Sequence, residues 1–438
     1  MLNWKSTVAA ATLALGLAPA AWAATEIELY FPVPVEGKLA SEMKSLMERF
    51  NAEHPEIVVT PVYTGNYDET AIKTRAAMKA GNPPAAVIMS ANFVLEYQIN
   101  NEIEPLDPLI EAEGMTPDSY IGQFWPALHR NAAFAGHVWA APFHNSTPLL
   151  YINADHFRAA GLNPDAPPAT WAELVDAAKK LTVTDGTNTT RYGFMLPGGY
   201  DYLGWIMSAL AMSNGGEYFN PYYGGEVYYD TPSMQGAVQF VDDLVHVHKV
   251  MPEGVTEGKA VSTAFFAGQA SMVTLSTGSL SFIRENMKDD YRVAFMPRNL
   301  RNAVPIGGAS LMMPKGLSDE EKAASWTLIT WLTSPEISGH WSRFTGYFAP
   351  NKAAYDLPEM KDFLTQNPDA QVAIDQLAFA QPWFATYNTV AVRKALEDEV
   401  QAVLSGNKTA AEAVKAAQAT ADEILAPYVA QTAFKLQD

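Results

Sequence analysis

From Glu26 to Met89 the chain alternates between two hydrophobic periods, and this alternation restricts the fold more than any other feature. Glu26–Phe31 reads as an apolar strand at the start of the predicted mature chain. Residues 37–51 then carry Met43, Leu46, Met47 and Phe50 on one face of a helix, which His54-Pro55 ends. Ile57–Val62 is the second strand and Thr70–Ala80 the second helix. Gly81-Asn82-Pro83-Pro84 breaks the chain before a third strand, Ala85–Met89. Strand, helix, strand, helix in this order builds a parallel sheet, because parallel neighbours need a crossover long enough to hold a helix. The expected fold class is α/β.

The next informative stretch is Ser146–Leu174. The apolar strand Leu149–Ile152 ends in Asn153, and Asp155 is read as the cap of a short helix that stops at Gly161. A proline-rich loop then delivers Thr170, with Glu173 three residues on, a capping box opening the next helix. Residues 138–152 are apolar and extended around Pro142 and Asn145-Ser146-Thr147-Pro148, which suits a strand crossing between two lobes. Helices are expected at 170–182 and 232–249, a return strand at Gly268–Thr277 and a helix at Leu280–Met287. A further helix, Asp319–Leu332, leads to a third crossing near Thr333–Ser338. Helices Asn388–Leu404 and Thr409–Leu425 close the chain. No internal repeat or low-complexity linker separates two domains, which is what two lobes built from discontinuous segments would give.

Lys5, the apolar run Val8–Leu17 and Ala21-Trp22-Ala23 form a secretory signal with an A-x-A cleavage site, so a mature start at Ala24 is expected. The run is too short to cross a bilayer. With 438 residues and no cysteine, the chain has the length for two domains and relies on packed cores. A net charge of -19 disfavours nucleic acid and anionic membranes as partners, while leaving a small anionic ligand open. The 10 Trp, 19 Tyr and 20 Phe suit a large core, or a cleft walled by rings.

Catalytic patterns are absent from the sequence. The only close histidine pair is His246-Val247-His248, and residues two apart on a helix do not share a face. No HExxH, G-x-S-x-G or P-loop occurs. Asp242-Asp243 and Glu320-Glu321 fall on expected exposed helix faces. The features that suit binding are different. Ser276-Thr277-Gly278-Ser279 precedes a helix and could offer N–H and O–H donors to an anion, or simply cap that helix. Gly307-Gly308-Ala309-Ser310 is a small-residue turn or a strand bulge. Arg393 has Glu397 at i+4, and Tyr67 and Tyr347 sit in loops. Tyr202 and Trp205 follow Gly198-Gly199 and could make a stacking platform or belong to the core.

The run Y-x-N-x-D-x-F-x-x-A-G-L followed by P-P-x-T-W-x-E-L resembles the extracellular solute-binding proteins of ABC importers, in the branch with maltose- and sn-glycerol-3-phosphate-binding proteins. TGNYDET, AGNPPA, PFHNSTPLLYINAD, FFAGQASMVTLSTGSLSFIRE, PIGGASLMMPKG, FTGYFAPNKAAYDL and the helix around Arg393 resemble the sn-glycerol-3-phosphate-binding family in particular. The resemblance implies ligand contacts at Tyr67, Ser146, Ser276, Gly308, Tyr347 and Arg393, a phosphate cradle of hydroxyls, backbone N–H groups and a guanidinium. Two positions depart from the family. Where it has a glutamate for a glycerol hydroxyl, this chain has Ala91 followed by Asn92, and the family's tryptophan platform aligns near Tyr202, with Trp205 retained.

The resemblance implies two α/β lobes, each with a mainly parallel sheet, joined by a hinge around a cleft. Residues 24–144 and 272–335 would form the first lobe, 145–271 and 336–438 the second. Tyr67, Ser276 and Gly308 would come from the first lobe, and Arg393, Tyr347 and Tyr202 from the second, with Ser146 at the crossing. The implied function is that of a monomeric periplasmic receptor, not an enzyme, without cofactor or metal. It would close on sn-glycerol-3-phosphate or a glycerophosphodiester such as glycerophosphocholine and deliver it to a membrane permease. The departure at Ala91 suits a diester such as glycerophosphocholine better than plain sn-glycerol-3-phosphate. An oligosaccharide receptor of the maltose type is the alternative, and a secreted enzyme a more distant one.

Overall fold

The computed structural model describes residues 24–433, and the expected signal segment 1–23 lies outside them. The first sheet is built as the N-terminal alternation requires. Thr25–Phe31 lies between Ile57–Tyr63 and Ala86–Ser90, parallel to both. Gly307–Met312 then pairs antiparallel with Ala86–Ser90, and Ala141–Ser146 pairs antiparallel with Gly307–Met312 to form the edge. The helix Leu39–Glu53 buries Met43, Leu46, Met47 and Phe50, the four residues its periodicity selects.

The second sheet centres on Pro148–Asn153, flanked antiparallel by Met272–Ser276 and Tyr291–Ala294. Two isolated parallel bridges, Tyr192 to Ala270 and Met195 to Val273, extend it. The expectation of a mainly parallel sheet therefore fails in this lobe. Whole helices, among them Trp171–Leu181, Tyr202–Ser213 and Pro232–Asp242, intervene between Pro148–Asn153 and Met272–Ser276, so no direct helical crossover makes these neighbours parallel. The two outer strands, joined by the helix Leu280–Asn286, run parallel to each other on either side of Pro148–Asn153. These helices pack with Thr389–Leu404 and Ala410–Thr432 into a separate core around Leu150, Ile206, Val238 and Leu396.

The crossing between lobes is sharp. Ser146 ends a strand of the first sheet and Pro148 begins one of the second, with Thr147 alone between them. The other lobe boundaries differ from the expected ones. Met272–Ser276, expected in the first lobe, joins the second sheet, and the chain re-enters the first sheet at Gly307–Met312. An apolar five-residue strand suits either sheet, so its partner is decided by tertiary packing. Ile337, Trp341, Tyr347 and Phe348, expected in the second lobe, pack in the first core. The helix Pro335–Thr345 buries one face, and that face meets the first sheet.

Local caps follow the sequence closely. Thr170 and Glu173 form the expected capping box. The short helix Ala154–Ala159 is capped by Asn153, whose side chain accepts the His156 N–H at 2.9 Å. Asp155, expected as the cap, lies within the first turn and accepts the N–H of Asp290 instead. Among the described residues no helix is long and apolar enough to cross a membrane.

Candidate functional site

The cleft begins with a second capping box. Asn66 accepts the Glu69 N–H at 2.9 Å, and the Glu69 carboxylate accepts the Asn66 N–H at 3.0 Å. The helix thus starts at Tyr67, three residues before the expected Thr70, with Asp68 as its second residue. Tyr67 is buried, and its hydroxyl lies 3.1 Å from Nε2 of His144. The His144 ring stacks on Tyr347 with centroids 5.0 Å apart and planes at 11°. Burial pushes His144 down to about 3, so the imidazole is neutral at physiological pH.

Tyr67 and Tyr347 share a cavity of about 40 Å³ with Ser146, Tyr202, Trp205, Ser276, Gly307 and Gly308. Several of these are fixed through their backbones. Ser276 donates its N–H to the Tyr202 hydroxyl at 2.6 Å, and its carbonyl accepts from the Tyr151 hydroxyl at 2.8 Å. Its Oγ accepts the Gly278 N–H at 3.0 Å, so Ser276 caps the turn Thr277–Ser279 while lining the cavity. The capping and binding roles read for it locally are compatible. Gly308 has φ +74°, and a Cβ there would stand 2.0 Å from the His144 carbonyl oxygen. Only glycine fits this approach. The pairing register shifts just after it, between Ala309 and Ser310, so the expected bulge and the cavity wall coincide. The indole N–H of Trp205 is buried without a partner among the described residues.

The cavity also holds a group the sequence reading missed. Asp201 precedes the helix Tyr202–Ser213 at φ 71° and ψ −50°, a strained conformation for a residue with a side chain. Its Oδ1 accepts from Nη1 of Arg393 at 2.9 Å, and its side chain keeps 29% of its surface open. Burial raises its pKa to about 7; Arg393 opposes the shift, and Asp68 and Glu397 add to it. The nearby Gly198-Gly199 marked flexibility, but nothing local marked Asp201. Pro34, Val35 and Trp383 complete the walls and were likewise unforeseen.

Arg393 is the exception among the expected contacts, for it does not line the cavity. Its side chain is 1% exposed and is held by three carboxylates. Nη2 donates to both oxygens of Asp68, at 3.0 and 2.7 Å, Nη1 to Asp201, and Nε to Glu397 at 3.3 Å. Burial works against its charge, but Asp201, Glu397 and Asp68 together outweigh it and hold the guanidinium protonated. Asp68 belongs to the first lobe, whereas Arg393, Asp201 and Glu397 belong to the second. The expected phosphate ligand is therefore a tie between lobes. Thr389 adds another by donating its N–H to Glu96 of the first lobe at 2.8 Å.

The other seven expected contacts converge on the one cavity, with two exchanges of lobe: Ser276 comes from the second and Tyr347 from the first. Ala91 sits in a buried short turn outside the cavity wall, and Asn92 beside it accepts from the Ser90 hydroxyl at 2.7 Å. Among the described residues no cluster of three or more metal-ligating side chains is present.

The family described as "Bacterial extracellular solute-binding protein" matches residues 45–372. The chain belongs to this family. Among curated relatives, the sn-glycerol-3-phosphate-binding periplasmic protein UgpB of Escherichia coli K12 is 31% identical over 436 residues, covering 95% of this chain and 96% of its own length. Among solved structures, UgpB of Mycobacterium tuberculosis in complex with glycerophosphocholine aligns with a TM-score of 0.80 at 24% identity, over 91% of this chain and 98% of that one. Maltose-bound MalE3 of T. maritima aligns with a TM-score of 0.78 at 25% identity, over 92% and 99%. This solute-binding protein thus shares its two-lobed fold with receptors for ligands as different as a phosphodiester and a disaccharide.

Proposed function

We propose that this solute-binding protein is the periplasmic receptor of an ABC importer and takes a glycerophosphodiester with a cationic head group, such as glycerophosphocholine. The observation that carries the reading is the content of one cavity. Hydroxyls of Ser146, Ser276, Tyr67 and Tyr347 and the unpaired Trp205 N–H supply donors for a phosphate, beside the Asp201 carboxylate and the rings of Tyr202, Trp205 and Trp383. A carboxylate next to aromatic faces suits a quaternary ammonium. With Arg393 already held by carboxylates, the described residues that line the cavity include no cation, and Lys259 lines only the adjoining pocket that shares Tyr67, Asp201 and Tyr202 with it. A monoanionic diester then meets less repulsion from Asp201 than the more highly charged sn-glycerol-3-phosphate does. Asp201 also supplies, from the other lobe, a carboxylate like the one missing at Ala91. The 31% identity to a glycerol-phosphate receptor supports the ligand class.

Groups from both lobes wall the cavity, so the ligand is held fully only when the lobes close, and binding shifts the population toward that form. The closed form is what a membrane permease would recognise. The ligand leaves chemically unchanged. Calorimetric titration with glycerophosphocholine, sn-glycerol-3-phosphate and maltose tests the reading. The expected order places glycerophosphocholine first by about tenfold or more. Tight binding of maltose with no response to either phosphate would assign the protein to the maltose-type receptors instead. Tight sn-glycerol-3-phosphate binding with no response to glycerophosphocholine would overturn the head-group assignment.

A further inference from the structure

Trp383 separates the Asp201 cavity from a second, larger chamber and belongs to the wall of both. The second chamber measures about 310 Å³. Both lobes build it: Ile99, Arg130 and Phe134 from the first, and Phe219, Trp383 and Tyr428 from the second. The partition between the chambers is fixed from either side. Nδ2 of Asn131 donates to the Trp383 carbonyl at 3.0 Å, and Oδ1 of Asn131 accepts the Trp383 N–H at 3.2 Å. The indole N–H donates to Oγ of Ser208 at 3.2 Å. A first-lobe side chain thus grips a second-lobe backbone, and the chamber takes this shape only with the lobes together.

Its chemistry differs from that of the first cavity. Among the described residues its wall holds one cation, Arg130, and no carboxylate. The Arg130 guanidinium lies 4.1 Å over the ring of Tyr222, and Nη2 donates to the Tyr222 hydroxyl at 2.9 Å. No carboxylate of the described residues pairs with it. The guanidinium therefore stands free of acids beside apolar and aromatic walls. Its planar fork matches an oxyanion, and ring walls suit whatever carries that oxyanion.

We infer that this chamber is a second subsite of the cleft, on the far side of Trp383, for an oxyanion carried on an aromatic or alkyl arm. The inference rests on the cleft being the ligand site and is independent of which group lies against Asp201. Calorimetry on the full protein tests it, with phenyl phosphate and benzoate as separate arms and inorganic phosphate as the bare anion. Saturable binding of at least one arene is expected, weakened about tenfold by Arg130→Gln and less by Arg130→Lys. Phenyl phosphate binding tighter than benzoate assigns the subsite to phosphates, and the reverse to carboxylates. No saturable binding of either arene overturns the inference, as does binding that Arg130→Gln leaves intact or that inorganic phosphate matches. Circular dichroism of the variants separates misfolding from loss of the site, and Tyr222→Ala, at a residue 82% exposed, perturbs the same guanidinium from outside the core. Arene binding that persists when glycerophosphocholine fails to bind retains the subsite and overturns only the proposed ligand.

Discussion

Replacing Arg393 with Met tests whether this guanidinium is structural. Arg393 and Glu397 are 1% and 0% exposed in their side chains, while Asp68 and Asp201 keep 26% and 29%. Removing the cation leaves Glu397 as a buried carboxylate whose remaining donors are backbone N–H groups, of Gly204 at 3.0 Å and of Asp201. Breaking a buried ion network from one side costs roughly 3–5 kcal/mol, because the remaining charge stays desolvated. Asp68 and Asp201 can turn toward water, so Glu397 accounts for most of that cost. The double variant Arg393→Met with Glu397→Met should therefore recover most of the loss, since an apolar pair of similar volume replaces the ions. Urea unfolding followed by both tryptophan fluorescence and circular dichroism measures this, and coincident curves license a single free energy. If Arg393→Met unfolds within about 1 kcal/mol of wild type while ligand affinity collapses, the carboxylate network is not what Arg393 serves. The phosphate role implied by the family resemblance would then be restored.

The Asp201 carboxylate, raised to about 7 by burial, gives stability that is fully present below its unfolded pKa and is lost as pH rises through 7. Unfolding free energies of Asp201→Asn at a series of pH values should lack that decline, and asparagine tolerates the positive φ. His144, lowered to about 3 by burial, has the opposite sign: its contribution is present above the unfolded value and is lost as pH falls toward 3. NMR of the ring carbons should show no protonation between pH 8 and about 5, and a His144 titration near the ordinary imidazole value would contradict the stacked, buried ring. Gly204→Ala places a Cβ 2.8 Å from Cγ of Arg393 and 2.9 Å from Oε1 of Glu397. It should destabilise the protein by about 1–3 kcal/mol in the same unfolding assay.

Much of this architecture was legible because it is written in local chemistry. Periodicity selected the buried face of the helix Leu39–Glu53, and Thr170 with Glu173 set a helix start to the residue. The crossing was readable because Asn145-Ser146-Thr147-Pro148 interrupts an extended apolar run. What could not be read depends on the partner. Met272–Ser276 has the same pattern whichever sheet it joins, and Pro335–Thr345 buries a face without naming its neighbour. The cavity divides the same way. Gly308 and Ser276 announce themselves by residue type. Asp201 becomes conspicuous only when folding sets it against Arg393, and the same event takes Arg393 out of the cavity wall.

The strand order of the first sheet also governs when this protein can fold. Gly307–Met312 lies between Ala86–Ser90 and Ala141–Ser146, so two strands from the first third of the chain wait for one from its last third. Until residue 312 is available, both expose unpaired backbone edges, and neither can complete the core that Trp341 and Tyr347 later seal. Contacts of such sequence separation are slow to form. The first lobe is therefore completed only once the last third of the chain is available, although its three parallel strands come from residues 25–90 alone.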